Sequence, residues 1–134
     1  MGGIDSNGGG ILTDPSELSP SVNATIRGFV LTSTASTTVL QHTPLSTGGF
    51  LIKIAFSITG SASVTMTATV TWTDADSGEA DIWHLVAPST SLPPGSYGCA
   101  TLPFSAQAAS AITITLQASV ASVVKVTASI ERQV

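Results

Sequence analysis

Hydrophobic and polar residues alternate with a period of two through most of this chain. The segment Ser63–Thr73 shows the pattern most clearly, because Val, Met, Ala and Trp fill every second position and Thr or Ser fills the positions between. Such a period places the two sets of side chains on opposite faces of a β-strand. Thr is β-branched and fits a pleated strand, so the polar face is rigid without being charged.

Similar stretches follow from residue 25 onward, separated by Gly, Pro, Asp and Ser. The separators are Ser46–Gly49, a tight hairpin at Thr59–Ser61, a turn at Asp74–Glu79 and a break at Ser91–Gly95. No helical pattern lies between these separators. The chain is therefore predicted to have an all-β fold: an antiparallel, jelly-roll-like β-sandwich of about eight strands. The predicted strands are Thr25–Thr32, Thr37–His42, Gly49–Thr59, Ser63–Thr73, Asp81–Ala87, Ser96–Ala106, Ala111–Ala118 and Val123–Glu131.

The alternation also predicts which side chains form the core. The doublet Leu51–Ile52 leaves the phase of its strand open, since either residue could point inward. Burial of one Val or Ile contributes about 1.5–3 kcal/mol, so these rows hold the fold together. The predicted inward residues are Leu51 or Ile52, Ile54, Phe56, Ile58, Val64, Met66, Ala68, Val70, Trp72, Ile112, Ile114, Leu116, Val124, Val126, Ala128 and Ile130.

The N-terminal region differs from the rest. Residues 1–24 are rich in Gly, Ser, Pro, Asn and Asp, contain no basic residue and show little periodicity. We therefore predict an extended N-terminal arm over 1–24 and a β-sandwich domain over 25–134. The arm alone cannot bury enough apolar surface to offset its ordering entropy, so we expect it to contact a neighbouring subunit. Its expected assembly contacts are Ile4, Ile11, Leu12, Leu18 and Val22.

Composition narrows the possible partners. Charged residues make up 9% of the chain, against about 25% in an ordinary soluble domain. The net charge is −4, and the four basic residues (Arg27, Lys53, Lys125 and Arg132) are separated along the sequence. Nucleic-acid binding needs a basic cluster, so no nucleic-acid partner is expected. No apolar run approaches the length of a membrane span, so no membrane partner is expected either.

The acidic segment from Asp74 to Asp81 is the densest polar cluster. The order Asp74, Asp76, Gly78, Glu79 resembles part of a calcium-binding loop, in which several carboxylates bind one hard cation. Gly78 falls one position early, however, and no bidentate acid follows at the expected distance. We interpret the segment, Asp81 included, as a solvated hairpin turn, and a calcium titration would test the alternative.

Other candidate chemistry is sparse. His42 and His84 have no Cys or acid at metal-ligand spacing, and His84 between Trp83 and Leu85 is expected at a surface or interface. Cys99 is expected to be a half-buried strand residue, since nothing in its sequence context supplies a base. No nucleophile elbow, phosphate loop or dinucleotide fingerprint is present. We therefore expect no enzymatic activity and no cofactor.

Aromatic residues offer one possible recognition surface. By alternation Trp72 belongs to the core, whereas the positions of Trp83 and Tyr97 are less fixed. Aromatic faces can stack on sugars, so Trp83 and Tyr97 could form a carbohydrate platform. Two aromatic residues without polar neighbours are more often part of a core or a subunit interface.

Residues 50–131 resemble a pattern found in small structural proteins of tailed bacteriophages. Residues 92–97 are similar to its Leu-x-x-Gly-Ser turn, and residues 104–114 to its Phe-x-Ala-x-Ala-Gly-x-x-Ile-Thr-Val strand pair. Residues 70–78 resemble its Val-Thr-Tyr-Thr-Asp hairpin, and the end of the chain its closing Val-x-Ala-x-Ile-Glu strand. Ser110 stands where that pattern usually has glycine.

The resemblance implies a virion component, and the composition suits symmetric packing as a homotrimer. We expect a capsid decoration protein that binds itself and the major capsid or other virion proteins. The alternative is a phage tail or fibre module that binds a host receptor or glycan. A third alternative is a bacterial surface or pilus subunit, which is weakened because the opening residues lack the basic and apolar stretches of an export signal. The location that the resemblance implies is the virion, assembled in the host cytoplasm.

Overall fold

The computed structural model describes residues 21–133, apart from the side chains of Ser21 and Cys99. This part of the chain contains strands and no helix, and so no helix long or apolar enough to cross a membrane. The all-β prediction is confirmed. The strands are β1 (Ser21–Val30), β2 (Thr37–His42), β3 (Gly48–Ile58), β4 (Val64–Thr73), β5 (Ala80–Leu92), β6 (Gly95–Ala106), β7 (Ile112–Ala118) and β8 (Val124–Arg132).

The strands form two four-stranded antiparallel sheets. The first sheet has the order β1-β8-β3-β6, and the second has the order β2-β7-β4-β5. Successive strands alternate between the sheets except for β4 and β5, which are hydrogen-bonded neighbours. This strand order and the antiparallel pairing are those of an eight-stranded jelly roll.

The predicted hairpin at Thr59–Ser61 is wrong. Strand β3 pairs with β6 and β8 in the first sheet, whereas β4 pairs with β5 and β7 in the second. Both edges of β3 are therefore occupied, and the connection must cross to the other sheet. A short Gly/Ser link fits a hairpin and a crossing equally well, so the local sequence does not distinguish them.

Within residues 21–133, the core between the sheets contains the rows that the alternation predicts and six further buried hydrophobic residues that the prediction did not name: Leu31, Val39, Phe50, Val86, Ala106 and Ala118. Ile52 is fully buried and Leu51 only partly so, which settles the phase of β3. Every other predicted inward residue is also buried, including Trp72. The inner faces of both sheets are aliphatic over most of their length, so burial of these rows stabilises the sandwich.

One end of the core is closed by a buried arginine. The guanidinium of Arg132 lies 5.3 Å from the ring centre of Phe50. Its Nη1 donates to the carbonyl of Ser46 at 3.0 Å and its Nη2 to that of Thr47 at 3.1 Å. Phe50 in turn packs on Phe104, with ring centres 6.2 Å apart. Arg132 therefore ties the connection between β2 and β3 to the end of the sandwich.

Two strands extend beyond their predicted limits. Strand β1 begins at Ser21 rather than Thr25, and β5 continues to Leu92 rather than ending at Ala87. The N-terminal arm is therefore taken below as the residues before β1, residues 1–20. Pro88 lies inside β5, which is tolerated because β5 is an edge strand and needs only one row of ladder hydrogen bonds. Beside it, Ser89 has a left-handed backbone with φ of 59°.

The turn between β6 and β7 depends on Ala109. Ala109 has φ of 61° and donates its backbone N–H to the carbonyl of Pro44 at 2.9 Å. Ser110 is the residue that the resemblance to the phage pattern placed at a usual glycine. Its hydroxyl shares a 2.8 Å hydrogen bond with the hydroxyl of Thr73. The left-handed residue is therefore Ala109, which also matches the glycine of the Phe-x-Ala-x-Ala-Gly pattern when Phe104 is aligned with its Phe, so the assignment of that glycine to Ser110 is one residue too late.

We predict that Ala109→Gly raises the free energy of unfolding by about 0.5–1 kcal/mol, because glycine removes the left-handed strain at a smaller entropic cost. The matched variant Ser110→Gly should lower it by about 1 kcal/mol, because it removes a side-chain hydrogen bond. Urea unfolding followed by circular dichroism measures both changes. Destabilisation by Ala109→Gly would contradict this account of the turn.

Candidate functional site

The acidic segment forms the hairpin between β4 and β5. The Asp74 carboxylate accepts hydrogen bonds from the backbone N–H groups of Asp76 at 3.0 Å and Ser77 at 2.9 Å. The Gly78 N–H donates to the Asp74 carbonyl, and the Asp74 N–H donates to the Glu79 carbonyl, both at 2.9 Å. Asp74 thus closes the turn in the way that Asp residues commonly do. Among residues 21–133 no three His, Cys, Asp or Glu side chains gather in a group that could hold a metal ion.

The hydrogen bond from the Ser77 backbone lowers the pKa of Asp74. A lowered pKa means that the ionised carboxylate stabilises the folded state, fully above the usual carboxyl pKa of about 4 and progressively less below it. We predict that wild type loses its stability advantage over Asp74→Asn as the pH falls from about 5 to about 2. Urea unfolding across this range tests the prediction, with Asp76→Asn as the control for charge. A constant difference between wild type and Asp74→Asn would contradict it.

The two histidines lie too far apart to share a ligand. His42 is on β2 and His84 on β5, the opposite edges of the second sheet. Three strand spacings separate these edges, or about 14 Å. The Nδ1 of His84 lies 3.2 Å from the Thr69 hydroxyl, and the His42 ring lies 6.1 Å from that of Phe50. The sequence expectation that His84 lies at a surface is confirmed by its exposure.

Trp83 and Tyr97 lie on edge strands of different sheets. Trp83 on β5 stands opposite Val70 and packs partly buried against the core. Tyr97 on β6 stacks on Phe56, with ring centres 4.8 Å apart, and its hydroxyl donates to the Pro93 carbonyl at 2.6 Å. The contact with Phe56 occupies one face of the Tyr97 ring, and the hydroxyl is already bonded within the chain.

Tyr97 also borders a cleft at the open side of the sandwich. The cleft has a volume of about 380 Å³ and lies between β5 and β6. Its lining includes Phe56, Leu85, Leu92 and Tyr97, and it does not include Trp83. Trp83 and Tyr97 therefore do not line a common pocket.

The outer face of the second sheet is rich in threonine. Thr69 stands opposite Thr115, and Thr71 opposite Thr113, so hydroxyls form continuous rows across the central strands. Gln41 extends one row by donating from Nε2 to the Thr113 hydroxyl at 3.4 Å. We call this surface the threonine face. None of its residues is Asp, Glu, Lys or Arg. It is made of Thr38, Gln41, Thr65, Thr67, Thr69, Thr71, Ile82, His84, Thr113, Thr115 and Gln117.

The outer face of the first sheet carries positive charge. A depression of about 470 Å³ crosses β1, β8 and β3 and is bordered by Arg27 and Lys53. A second depression of about 240 Å³ is bordered by Lys125. The two share Ala55 and Thr127, so they adjoin. We call them together the basic trough; its lining is Val22, Thr25, Arg27, Lys53, Ile54, Ala55, Phe56, Ser57, Ser96, Tyr97, Lys125, Thr127, Ala128, Ser129 and Glu131.

A β-bulge places Arg27 at the edge of the trough. The register of β1 against β8 shifts between Ile26 and Phe29. Gly28 within this bulge has φ of 60° and donates its N–H to the Thr127 hydroxyl at 3.1 Å. Bulges of this kind commonly redirect a neighbouring side chain.

Only one of the five predicted arm contacts falls within the described residues. Val22 lies on β1, is 56% exposed and lines the basic trough. Ile4, Ile11, Leu12 and Leu18 lie outside residues 21–133.

The basic trough was not predicted from the sequence, because its basic residues are far apart in sequence and meet only through the pairing of β1, β8 and β3. Strand parity does show that Lys53 and Lys125 point outward, since each lies between two buried residues.

No protein-family model and no curated protein matches this sequence. Among solved structures, the chain is similar to the infectious bursal disease virus VP2 subviral particle, with a TM-score of 0.49 and 11% identity over 93% of this chain and 37% of that one. It is also similar to the structure of the Gx strain of that virus, with a TM-score of 0.45 and 14% identity over 93% of this chain and 38% of that one. The chain thus spans little more than a third of these neighbours.

Proposed function

We propose that this protein is a non-enzymatic virion structural protein. More specifically, it is a capsid decoration protein that packs as a homotrimer on an assembled phage head, through its sandwich and its N-terminal arm. The observation that carries the proposal is the threonine face, an extended outer sheet surface without Asp, Glu, Lys or Arg. The resemblance of residues 50–131 to small phage structural proteins supports the same role.

The chemistry of the threonine face suits burial against another protein. Moving a hydroxyl out of water costs much less than moving a charge, and a hydroxyl can donate or accept a new hydrogen bond. Threonine is β-branched, so little side-chain freedom is lost when the surface is covered. A surface without Asp, Glu, Lys or Arg also brings none of these charges against a like charge on its partner. Burial of this surface in an assembly is therefore inexpensive.

The threonine face is close in size to one side of a standard interface. Four strands spaced about 4.8 Å apart, averaging about nine residues in length, give it a flat footprint of roughly 500 Å². A stable protein–protein interface buries about 800 Å² of accessible surface on each partner, and the accessible area of a corrugated face exceeds its flat footprint. The N-terminal arm is the segment that we propose adds to this contact.

The double variant Thr69→Lys/Thr115→Lys tests the use of the threonine face. These two residues stand opposite each other on central strands, so the variant places two positive charges at the middle of the surface. We predict that it folds normally but does not self-associate, because burial of two unpaired charges is prohibitive. Native mass spectrometry measures the oligomer, and Thr69→Ser/Thr115→Ser is the matched control. Wild-type association in the lysine variant would contradict the prediction.

The capsid role needs a separate experiment with particles. We expect the purified protein to co-sediment at fixed stoichiometry with assembled, expanded heads and to raise their thermal stability, because a ligand of one state stabilises that state. The Thr69→Lys/Thr115→Lys variant is the negative control. Binding to host cells or to a glycan array, without binding to heads, would favour the tail or fibre module instead.

A further inference from the structure

We propose that the basic trough is the docking site for residues 1–20 of a neighbouring copy of this chain. The proposal rests on the proposed self-association and names the surface that receives the arm. Three observations carry it: opposite charge, the position where the arm joins the sandwich, and the shape of the trough.

The charges of the two parts are complementary. Residues 1–20 contain Asp5, Asp14 and Glu17 and no Lys or Arg. The trough is bordered by Arg27, Lys53 and Lys125, three of the four basic residues in the chain. Lys53 is already paired with Glu131 at 3.2 Å, yet its side chain remains 46% exposed and can meet a second carboxylate.

The floor and borders of the trough suit an extended segment. Ala55, Thr127 and Ser129 are small residues on the central strands β3 and β8, with the longer basic side chains around them. Val22 is exposed at one border and provides an apolar contact for the aliphatic residues of the arm. The depressions adjoin along the sheet, which matches a peptide better than a compact ligand.

The path of the chain favours a neighbouring copy over the same one. Strand β1 runs antiparallel to β8 and begins opposite Arg132, at the end of the sheet. The arm must therefore reverse sharply to return over its own trough. Twenty residues can extend to about 66 Å, which is ample to reach another subunit.

Carbodiimide cross-linking of mixed isotopes tests the proposal. The reagent joins a carboxylate and a lysine amine that are in contact, so ¹⁴N-labelled and ¹⁵N-labelled full chains are mixed, allowed to exchange and cross-linked. We expect mixed-label peptides that join Asp14 or Glu17 to Lys53 or Lys125. The Lys53–Glu131 pair is the internal control and must give single-label products. Arm cross-links that are absent, single-label only or directed elsewhere would overturn the proposal.

Charge reversal provides a second readout. Arg27→Glu/Lys125→Glu and Asp14→Lys/Glu17→Lys should each weaken self-association about five- to tenfold, the effect of losing two exposed ion pairs. The two sets combined should restore most of it. The control Asp76→Lys/Glu79→Lys makes the same charge change as the arm variant, at the β4–β5 hairpin instead. It should alter association less than twofold; a loss as large as that of the arm variant would mean that net charge is responsible. If association and head binding persist unchanged in all variants, the trough proposal fails while the proposed function stands.

Discussion

Replacing Phe50 with alanine is expected to lower the free energy of unfolding by about 3–5 kcal/mol. Phe50 is 1% exposed and lies among Phe104, His42 and the guanidinium of Arg132. Its removal leaves a cavity between two sheets that are held apart by other side chains, so the space cannot close. Urea unfolding monitored by tryptophan fluorescence measures the change, since Trp72 packs on Phe104 in the same cluster.

The neighbouring residue is the control for Phe50. Leu51 lies next to Phe50 on β3 and points to the outer face, where it is only partly buried. Leu51→Ala should therefore lower the free energy of unfolding by only about 1 kcal/mol or less. Equal losses in the two variants would show that the phase of β3 described above is wrong.

Replacing Arg132 with alanine is expected to lower the free energy of unfolding by about 2–4 kcal/mol. The variant loses both hydrogen bonds to the connection between β2 and β3 and the contact with Phe50. Arg132→Lys should recover little, because an ammonium group does not reproduce the forked geometry of the guanidinium. Chemical unfolding of both variants measures the loss.

Lys125→Ala is the matched control, because it removes a positive charge from an exposed position on the same strand. Its effect should stay within about 0.5 kcal/mol. If Arg132→Ala and Lys125→Ala are equally mild, the buried arginine does not hold the loop.

The rows of the core could be predicted from the sequence because alternation is a local signal. On β4 and β8 the apolar residues occupy every second position without interruption, and all of them are buried. The same parity continues through Ile130 to Arg132, so the buried arginine could have been recognised. The parity of Arg132 was overlooked because charged residues are usually solvent-exposed.

The pairing of strands could not be predicted, because it depends on contacts between distant parts of the chain. The link Thr59–Ser61 looks like a hairpin, yet β3 and β4 belong to different sheets. For the same reason Arg27, Lys53 and Lys125 appear scattered in the sequence and lie around one trough in the fold. The basic trough is therefore a product of the topology, whereas the row of threonines on β4 follows from the local alternation.

Native mass spectrometry of the full chain over a dilution series tests most directly whether this sandwich is built to pack against copies of itself. We predict a homotrimer that persists in the wild type and is replaced by a folded monomer in Thr69→Lys/Thr115→Lys. A wild-type chain that stays monomeric at every concentration would contradict the proposal.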